Sequence, residues 1–272
     1  MSMPILWLAI FFSAFDKRLR MTAASFPVDE YSALHDEWLE TRYIVIPTLR
    51  AVVSPHVHNA CVLDVGCGTG FLSNMMLRWG AKSVQGIDIS SRMIQICRER
   101  YAGNPSIQFT RSSIVSVNYF EEFDIALAIF VLHFNKTIAE LEEALRAIYK
   151  SLKKGGKLVA FVPNGIEHLN PLTEEEGRKL GALLILDGDR RFDGERMIVR
   201  FYSLNGEVVG ETNVTFFFRH TYEKVLQNVG FTSIQWCDPV VSKEAMNEYG
   251  EKLFSKLIEH PCDIVFSALK EN

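Results

Sequence analysis

The sequence predicts an α/β protein with a mostly parallel sheet and helices on both faces, and three observations lead there. An apolar run, Cys61–Val65, is interrupted only by Asp64 and leads into glycines at alternate positions, Gly66, Gly68 and Gly70, before Phe71 opens a helical stretch. Short apolar runs then alternate with helix-length amphipathic segments as far as Val162. Such continuous apolar strands, each followed by a helix, belong to parallel sheets buried on both sides. The chain has 272 residues of which 48% are hydrophobic, enough for one large core or one core with a small subdomain.

Each element follows from its local signals. Val28 to Thr48 reads as one or two helices, with Tyr31, Leu34, Trp38 and Arg42 at three- and four-residue spacing on one face. A further helix runs to Val53 and stops at Ser54-Pro55. Strand one is Cys61–Val65, followed by a helix over Phe71–Trp79. Strand two, Ser83–Ile89, carries Asp88 near its end, and Ser91 is placed to cap the helix that reaches Tyr101. Ile107–Thr110 and Asp124–Ile129 are strands three and four. Thr137–Leu152 is an amphipathic helix, and Gly155-Gly156 leads into strand five, Lys157–Val162.

Pro163–Phe218 departs from this alternation. Thr173 caps a helix whose first turn holds Glu174, Glu175 and Glu176, where acids meet the positive end of the helix dipole. Leu204-Asn-Gly206 between two β-rich runs, Met197–Ser203 and Glu207–Phe218, signals a β-hairpin inserted after strand five. Thr221–Val229 is then a helix closed by Gly230, with Phe231–Trp236 and Asp263–Ala268 as a final antiparallel pair.

Composition excludes some functions. A net charge of −4, with no Lys/Arg cluster interleaved with aromatics, disfavours a nucleic-acid partner. The five cysteines, Cys61, Cys67, Cys97, Cys237 and Cys262, have no zinc-site spacing and read as reduced thiols of a cytoplasmic protein. Asp187, Asp189 and Asp193 lack the rest of a calcium-loop pattern, so no metal is expected. Residues 4–15 are apolar and are followed by basic residues; the run is too short to span a bilayer, and its charge order is the reverse of a secretory signal. Residues 1–20 therefore read as an extension ahead of a start at Met21, a weak membrane-surface anchor, or a helix packed on the body. Residues 21–272 read as a single domain.

The Gly66–Gly70 turn, Asp88, the Phe123–Phe134 run and Leu152-Lys-Lys-Gly-Gly-Lys-Leu-Val-Ala-Phe161, in this order and spacing, resemble the class I S-adenosylmethionine-dependent methyltransferases. The likeness covers residues 31–161 and, more loosely, Thr221 to the C-terminus. It implies a Rossmann-like fold with a seven-stranded sheet, a helical lid over 21–55 and a substrate-pocket segment over 163–218. It also implies S-adenosylmethionine as cofactor and S-adenosylhomocysteine as product. The layout is similar to toxoflavin-synthase-like methyltransferases.

By this resemblance, Asp64 and the backbone of Gly66, Cys67, Gly68 and Gly70 lie near the cofactor's amino-acid end, where free N–H groups meet a carboxylate. Asp88 would accept from both ribose hydroxyls, with Ile89 and Met93 as an apolar wall for adenine. Where the family usually offers Asp to the adenine amino group this sequence has Ser113, with the Ile114 backbone beside it. Ile129 and Phe130 would pass beneath the methionine moiety. Tyr31, Trp38, Tyr43 and Arg219 are candidates for the acceptor pocket. His133 and His220 are candidate bases, each with a structural alternative: His133 as a packed helix-entry residue, His220 as a helix cap. His35 divides the same way, while His56, His58, His168 and His260 form no constellation.

The expected reaction is methyl transfer to N or O of a small heterocycle, phenol or acid by in-line displacement. The aromatics Phe192, Phe201, Tyr202, Phe216, Phe217 and Phe218 suggest an apolar pocket for such an acceptor. A catalytically silent partner subunit of the same fold is the alternative. A nicotinamide-dependent oxidoreductase fits less well, because Phe71 stands where the dinucleotide fingerprint wants its third glycine.

Overall fold

The computed structural model describes residues 26–166, 169, 172–186, 188, 190–259 and 261–271. The apolar stretch at 4–15, His168, His260, Asp187 and Asp189 lie outside them. The chain enters through helix α1 (Val28–Leu34), a 3-10 turn at His35–Glu37 and a π-helical turn at Thr41–Val45 that runs into α2 (Ile46–Val53). A single amphipathic face over Tyr31–Arg42 does not form. Trp38 is extended (φ −61°, ψ 141°), so the helical period restarts there. Arg42 pairs with Glu37 on the surface instead.

Strand and helix then alternate: β1 (Cys61–Val65), α3 (Phe71–Arg78), β2 (Ser83–Asp88), α4 (Ser91–Arg100), β3 (Ile107–Arg111), β4 (Phe123–Ile129), α5 (Ile138–Ser151) and β5 (Leu152–Pro163). The cap of α4 is Ser90, one residue earlier than the sequence predicts, and its hydroxyl accepts from Met93 N. After the insertion come α7 (Arg219–Val229), β9 (Phe231–Cys237), α8 (Lys243–Tyr249), α9 (Glu251–Glu259) and β10 (Asp263–Lys270). The sheet has seven strands in the order β3-β2-β1-β4-β5-β10-β9. β1 to β5 pair in parallel, and β10 runs antiparallel to β5 and β9. The alternating runs predict the parallel α/β layers, and the seven-stranded Rossmann-like sheet is the one that the resemblance implies.

Side-chain alternation along β1 divides the core. Leu63 and Val65 join the cluster formed with α5 (Leu141, Leu145, Ile148) and α7 (Val225, Leu226), whereas Val62 joins the opposite one with Leu49, Met76 and Cys97. Asp64 points with Val62, an acid in an otherwise apolar layer, only 2% exposed.

The insertion contains α6 (Glu174–Leu180), begun by a full capping box between Thr173 and Glu176, and a second sheet of three antiparallel strands: β6 (Ala182–Ile185), β7 (Arg196–Tyr202) and β8 (Val208–Thr215). The predicted hairpin is β7–β8, with Gly206 at φ +82° in its turn. The expectation of a hairpin alone is corrected by β6, whose four residues Ala182-Leu-Leu-Ile185 follow directly on the helix C-cap Gly181. No described helix is long and apolar enough to cross a membrane.

Candidate active site

The glycine turn after β1 is held against β2: Gly66 N and Cys67 N both donate to Ile87 O, at 2.8 and 3.0 Å. At Gly66 the backbone has φ +70°, and an added Cβ would sit 2.6 Å from Val131 Cγ2. Gly68 has φ +53°, and a Cβ there would meet nothing within 4 Å. The first glycine thus packs tightly against the loop beyond β4, while the second faces open space. Gly68 N donates to Asp88 Oδ2 at 3.0 Å, and Ser90 N donates to Oδ1 at 2.8 Å. Burial raises the Asp88 carboxyl above the ordinary range against these backbone donors. Ser73 Oγ donates to Asp64 Oδ2 at 2.5 Å. Burial, with a lesser contribution from the Asp88 charge, pushes the Asp64 carboxyl up to about 6 although the Ser73 bond opposes it.

A cavity of about 680 Å³ runs along the carboxyl edge of the sheet above these groups. Of the residues singled out in the sequence, it brings together Asp64, Gly66, Cys67 and Gly68 from the first turn, and Asp88, Ile89 and Met93 from the second. Ser113 and Ile114 follow β3, and Ile129, Phe130 and His133 follow β4. Phe130 holds φ +52°, a conformation rare for a bulky side chain and one that clusters at functional sites. Tyr31 and Trp38 form the roof with Phe201 of β7, Trp38 stacked on Phe201 at 5.6 Å between ring centroids. Trp38 Nε1 also donates to Tyr202 O at 2.9 Å.

Four predicted site residues do not line the cavity. Gly70 caps α3 and backs onto Phe109 and Tyr101. Tyr43 packs beside the cluster around Phe254, its hydroxyl 3.4 Å from Glu248 Oε2, because α8 and α9 cover that side of the lid. Arg219 donates through Nε to Asn164 Oδ1 at 2.8 Å and lies over the Trp236 ring. His220 is exposed and stacks on Phe218. Of the insertion's predicted aromatics only Phe201 reaches the cavity; Phe192 is exposed, and Phe216 and Phe217 are buried in cores elsewhere.

His133 is 5% exposed and its Nδ1 has no hydrogen-bond partner among the described residues. Burial pulls its pKa down to about 3, so the ring is neutral across the physiological range and a poor proton acceptor. The unfolded chain takes up a proton near pH 6.5 whereas the folded one does not, so this residue's contribution to stability is lost as pH falls from about 6.5 towards 3. Going from pH 7 to pH 5, the wild-type unfolding free energy is expected to change against that of His133→Gln by about 2 kcal/mol in the variant's favour, read from urea titrations. Parallel curves for the two proteins would show that the ring is not buried neutral.

The cavity also holds groups the sequence reading passed over: Glu40, Thr41, Thr212 and Asp263. Burial pushes the Glu40 carboxyl up to about 7. Asp263 is raised well above the carboxylate range by burial and then by the Glu40 charge. No Lys or Arg is among the described residues lining the cavity. No group of three or more described His, Cys, Asp or Glu residues is placed to hold a metal.

Residues 62–156 match the family described as a methyltransferase domain. The chain is 37% identical over 98 residues to demethylmenaquinone methyltransferase of Tropheryma whipplei, a match covering 36% of this chain and 39% of that protein. It is 29% identical over 154 residues to protein arginine N-methyltransferase 1 of Dictyostelium discoideum, covering 54% of this chain and 45% of that one. The chain thus spans less than half the length of these curated relatives. Its fold is similar to that of Burkholderia thailandensis 1,6-didemethyltoxoflavin-N1-methyltransferase with bound 1,6-didemethyltoxoflavin and S-adenosylhomocysteine (TM-score 0.53, 16% identity, 100% of this chain and 92% of that one). Residues 62–156 thus carry a methyltransferase domain, and the fold is that of S-adenosylmethionine-dependent methyltransferases.

Proposed function

We propose that the protein transfers a methyl group from S-adenosylmethionine to a nitrogen or oxygen of a small, flat molecule. The observation that carries this reading is the single cavity joining the open face of Gly68, the carboxylates of Asp64 and Asp88, and the aromatic roof of Tyr31, Trp38 and Phe201. The open space at Gly68 suits a ligand that must approach the backbone closely. When bound, the cofactor supplies a methyl group on a sulfonium, open to in-line displacement.

In this reading Asp88 accepts from the ribose hydroxyls while Gly68 N and Ser90 N keep its carboxylate aimed. Asp64 and the Gly66–Gly68 backbone lie at the amino-acid end, but not as the free N–H donors the sequence suggests: Gly66 N and Cys67 N are spent on Ile87 O and Gly68 N on Asp88, so the glycines serve there by close approach. Ile89 and Met93 wall the adenine, Ser113 accepts from its amino group, and Ile129 and Phe130 lie beneath the methionine moiety. Tyr31 and Trp38 enclose the acceptor. Fixing nucleophile and methyl in line can by itself lower the barrier by about 7–11 kcal/mol, so the residues act chiefly by positioning. A volume of about 680 Å³ lies within the range of small-molecule sites, which favours a compact acceptor over a polymer.

Calorimetry with S-adenosylmethionine, S-adenosylhomocysteine and NAD tests the cofactor. Both sulfur ligands are expected to bind and NAD is not; the reverse pattern overturns the proposal. A screen of heterocyclic amines, phenols and carboxylic acids for a methylated mass then tests the chemistry. Cofactor binding with no methylated product would point to a silent partner subunit.

A further inference from the structure

The cofactor groups occupy only part of the cavity. Asp88 ends β2, the Asp64–Gly68 turn ends β1 and Phe130 follows β4, three adjacent strands in the order β2-β1-β4. Beyond them the sheet continues through β5 to β10, and the cavity continues with it to Pro163 and Asp263. Neighbouring strands are about 4.8 Å apart, so Asp263, three strands from β1, lies roughly 14 Å along the edge from the glycine turn. Glu40 descends from the lid into the same cavity, and its charge is felt by the Asp263 carboxyl. Two carboxyl groups therefore meet at the end that the cofactor residues leave free.

The described lining contains no Lys or Arg, and burial, not a salt bridge, governs both acids. An unsatisfied group belongs to the same cavity: His133, 5% exposed, lines it with no partner for Nδ1 among the described residues. A buried polar atom without a partner costs about 1–3 kcal/mol, and a ligand that reached the His133 Nδ1 would relieve it. Much of the remaining lining is aromatic or aliphatic and suits a flat ring face, with Thr41, Asn135 and Thr212 as polar groups within it. A basic N–H edge meets two carboxyl groups at once and, as a cationic partner, favours their ionised, accepting form, which a carboxylate ligand cannot do.

We infer that Glu40 and Asp263 form the recognition end of the acceptor site, selecting a flat heterocycle that presents an amine-, amidine- or guanidine-type N–H edge. The inference rests on the methyltransferase reading above and narrows its acceptor class, excluding the acids. Glu40 and Asp263 act as acceptors of N–H donors and hold the ring's orientation; no bond is made or broken at them.

The test is calorimetry on protein saturated with S-adenosylhomocysteine, using 2-aminobenzimidazole, 2-methylbenzimidazole and benzimidazole-2-carboxylate as probes. The amino probe should bind at least tenfold more tightly than the carboxylate. Glu40→Gln and Asp263→Asn should each weaken it at least fivefold, while affinities for 2-methylbenzimidazole and S-adenosylhomocysteine stay within twofold. A carboxylate probe that binds as well as the amino one overturns the inference, as does an amino probe that is unaffected by both substitutions or a series in which no probe binds. If a variant fails to fold, the ranking of the three probes on the wild type still decides. Failure of the wild type to bind S-adenosylhomocysteine at all removes the methyltransferase reading itself, a result distinct from any ranking of probes.

Discussion

Asp88→Ala is expected to weaken S-adenosylhomocysteine binding at least a hundredfold. In the proposed site this carboxylate accepts from two ribose hydroxyls, and charge-assisted bonds contribute about 1.5–3 kcal/mol each. Two such bonds at the low end amount to about 3 kcal/mol, or more than two decades in affinity. The substitution has a further consequence, because Asp88 already receives Gly68 N at 3.0 Å and Ser90 N at 2.8 Å. Removing it frees the glycine loop as well as the ligand contact. Asp88→Asn, which keeps one acceptor oxygen, should fall between wild type and Ala. Calorimetry decides: an affinity within threefold of wild type for Asp88→Ala would falsify the ribose assignment.

The second large effect is at Gly66. A Cβ there would lie 2.6 Å from Val131 Cγ2 and 2.8 Å from its Cβ, on a backbone at φ +70°. The left-handed conformation costs a non-glycine residue about 1–2 kcal/mol, and overpacking about 1–3 kcal/mol more. Gly66→Ala should therefore lose about 2–5 kcal/mol of unfolding free energy, read from the urea midpoint, and bind S-adenosylhomocysteine poorly. Gly68→Ala provides the contrast. Its Cβ meets no protein atom within 4 Å, so stability should drop only by the backbone term while cofactor affinity falls through steric exclusion. Equal stability losses at the two positions would contradict the distinction between a packed glycine and an open one.

The core of the site was legible because its determinants are local. The turn after β1 needs positive φ at Gly66, Gly68 and Gly70, and a sequence announces this directly through glycine spacing. The run Cys61–Val65 is apolar apart from Asp64 and its bounds are those the sequence predicts, whereas strand five starts at Leu152 and not at Lys157, because Gly155-Gly156 lies within the strand. The acceptor end was not legible in this way. Glu40 and Asp263 are 223 positions apart in the chain, and only the β5–β10 pairing, Asp263 opposite Pro163, brings the second of them to the cavity. Tyr43 misled for a related reason. The helical period that would align it with Tyr31 is broken at Trp38 and re-phased by the π turn, and α8 and α9 then cover its side. His220 and Arg219 stand at the start of α7, where chain proximity to the insertion suggested the pocket, yet Asn164 and Phe218 hold them outside it.

Trp38 bonds to the Tyr202 carbonyl 164 positions away, stacks flat on Phe201, and lies so near Gly181 that any side chain there would overlap its indole. One ring thereby rivets the entry segment to the inserted sheet. On the proposed function, a derivative adapted to a bulkier acceptor has to change positions 38, 181 and 201 in concert, since enlarging any one alone loosens the rivet without widening the door.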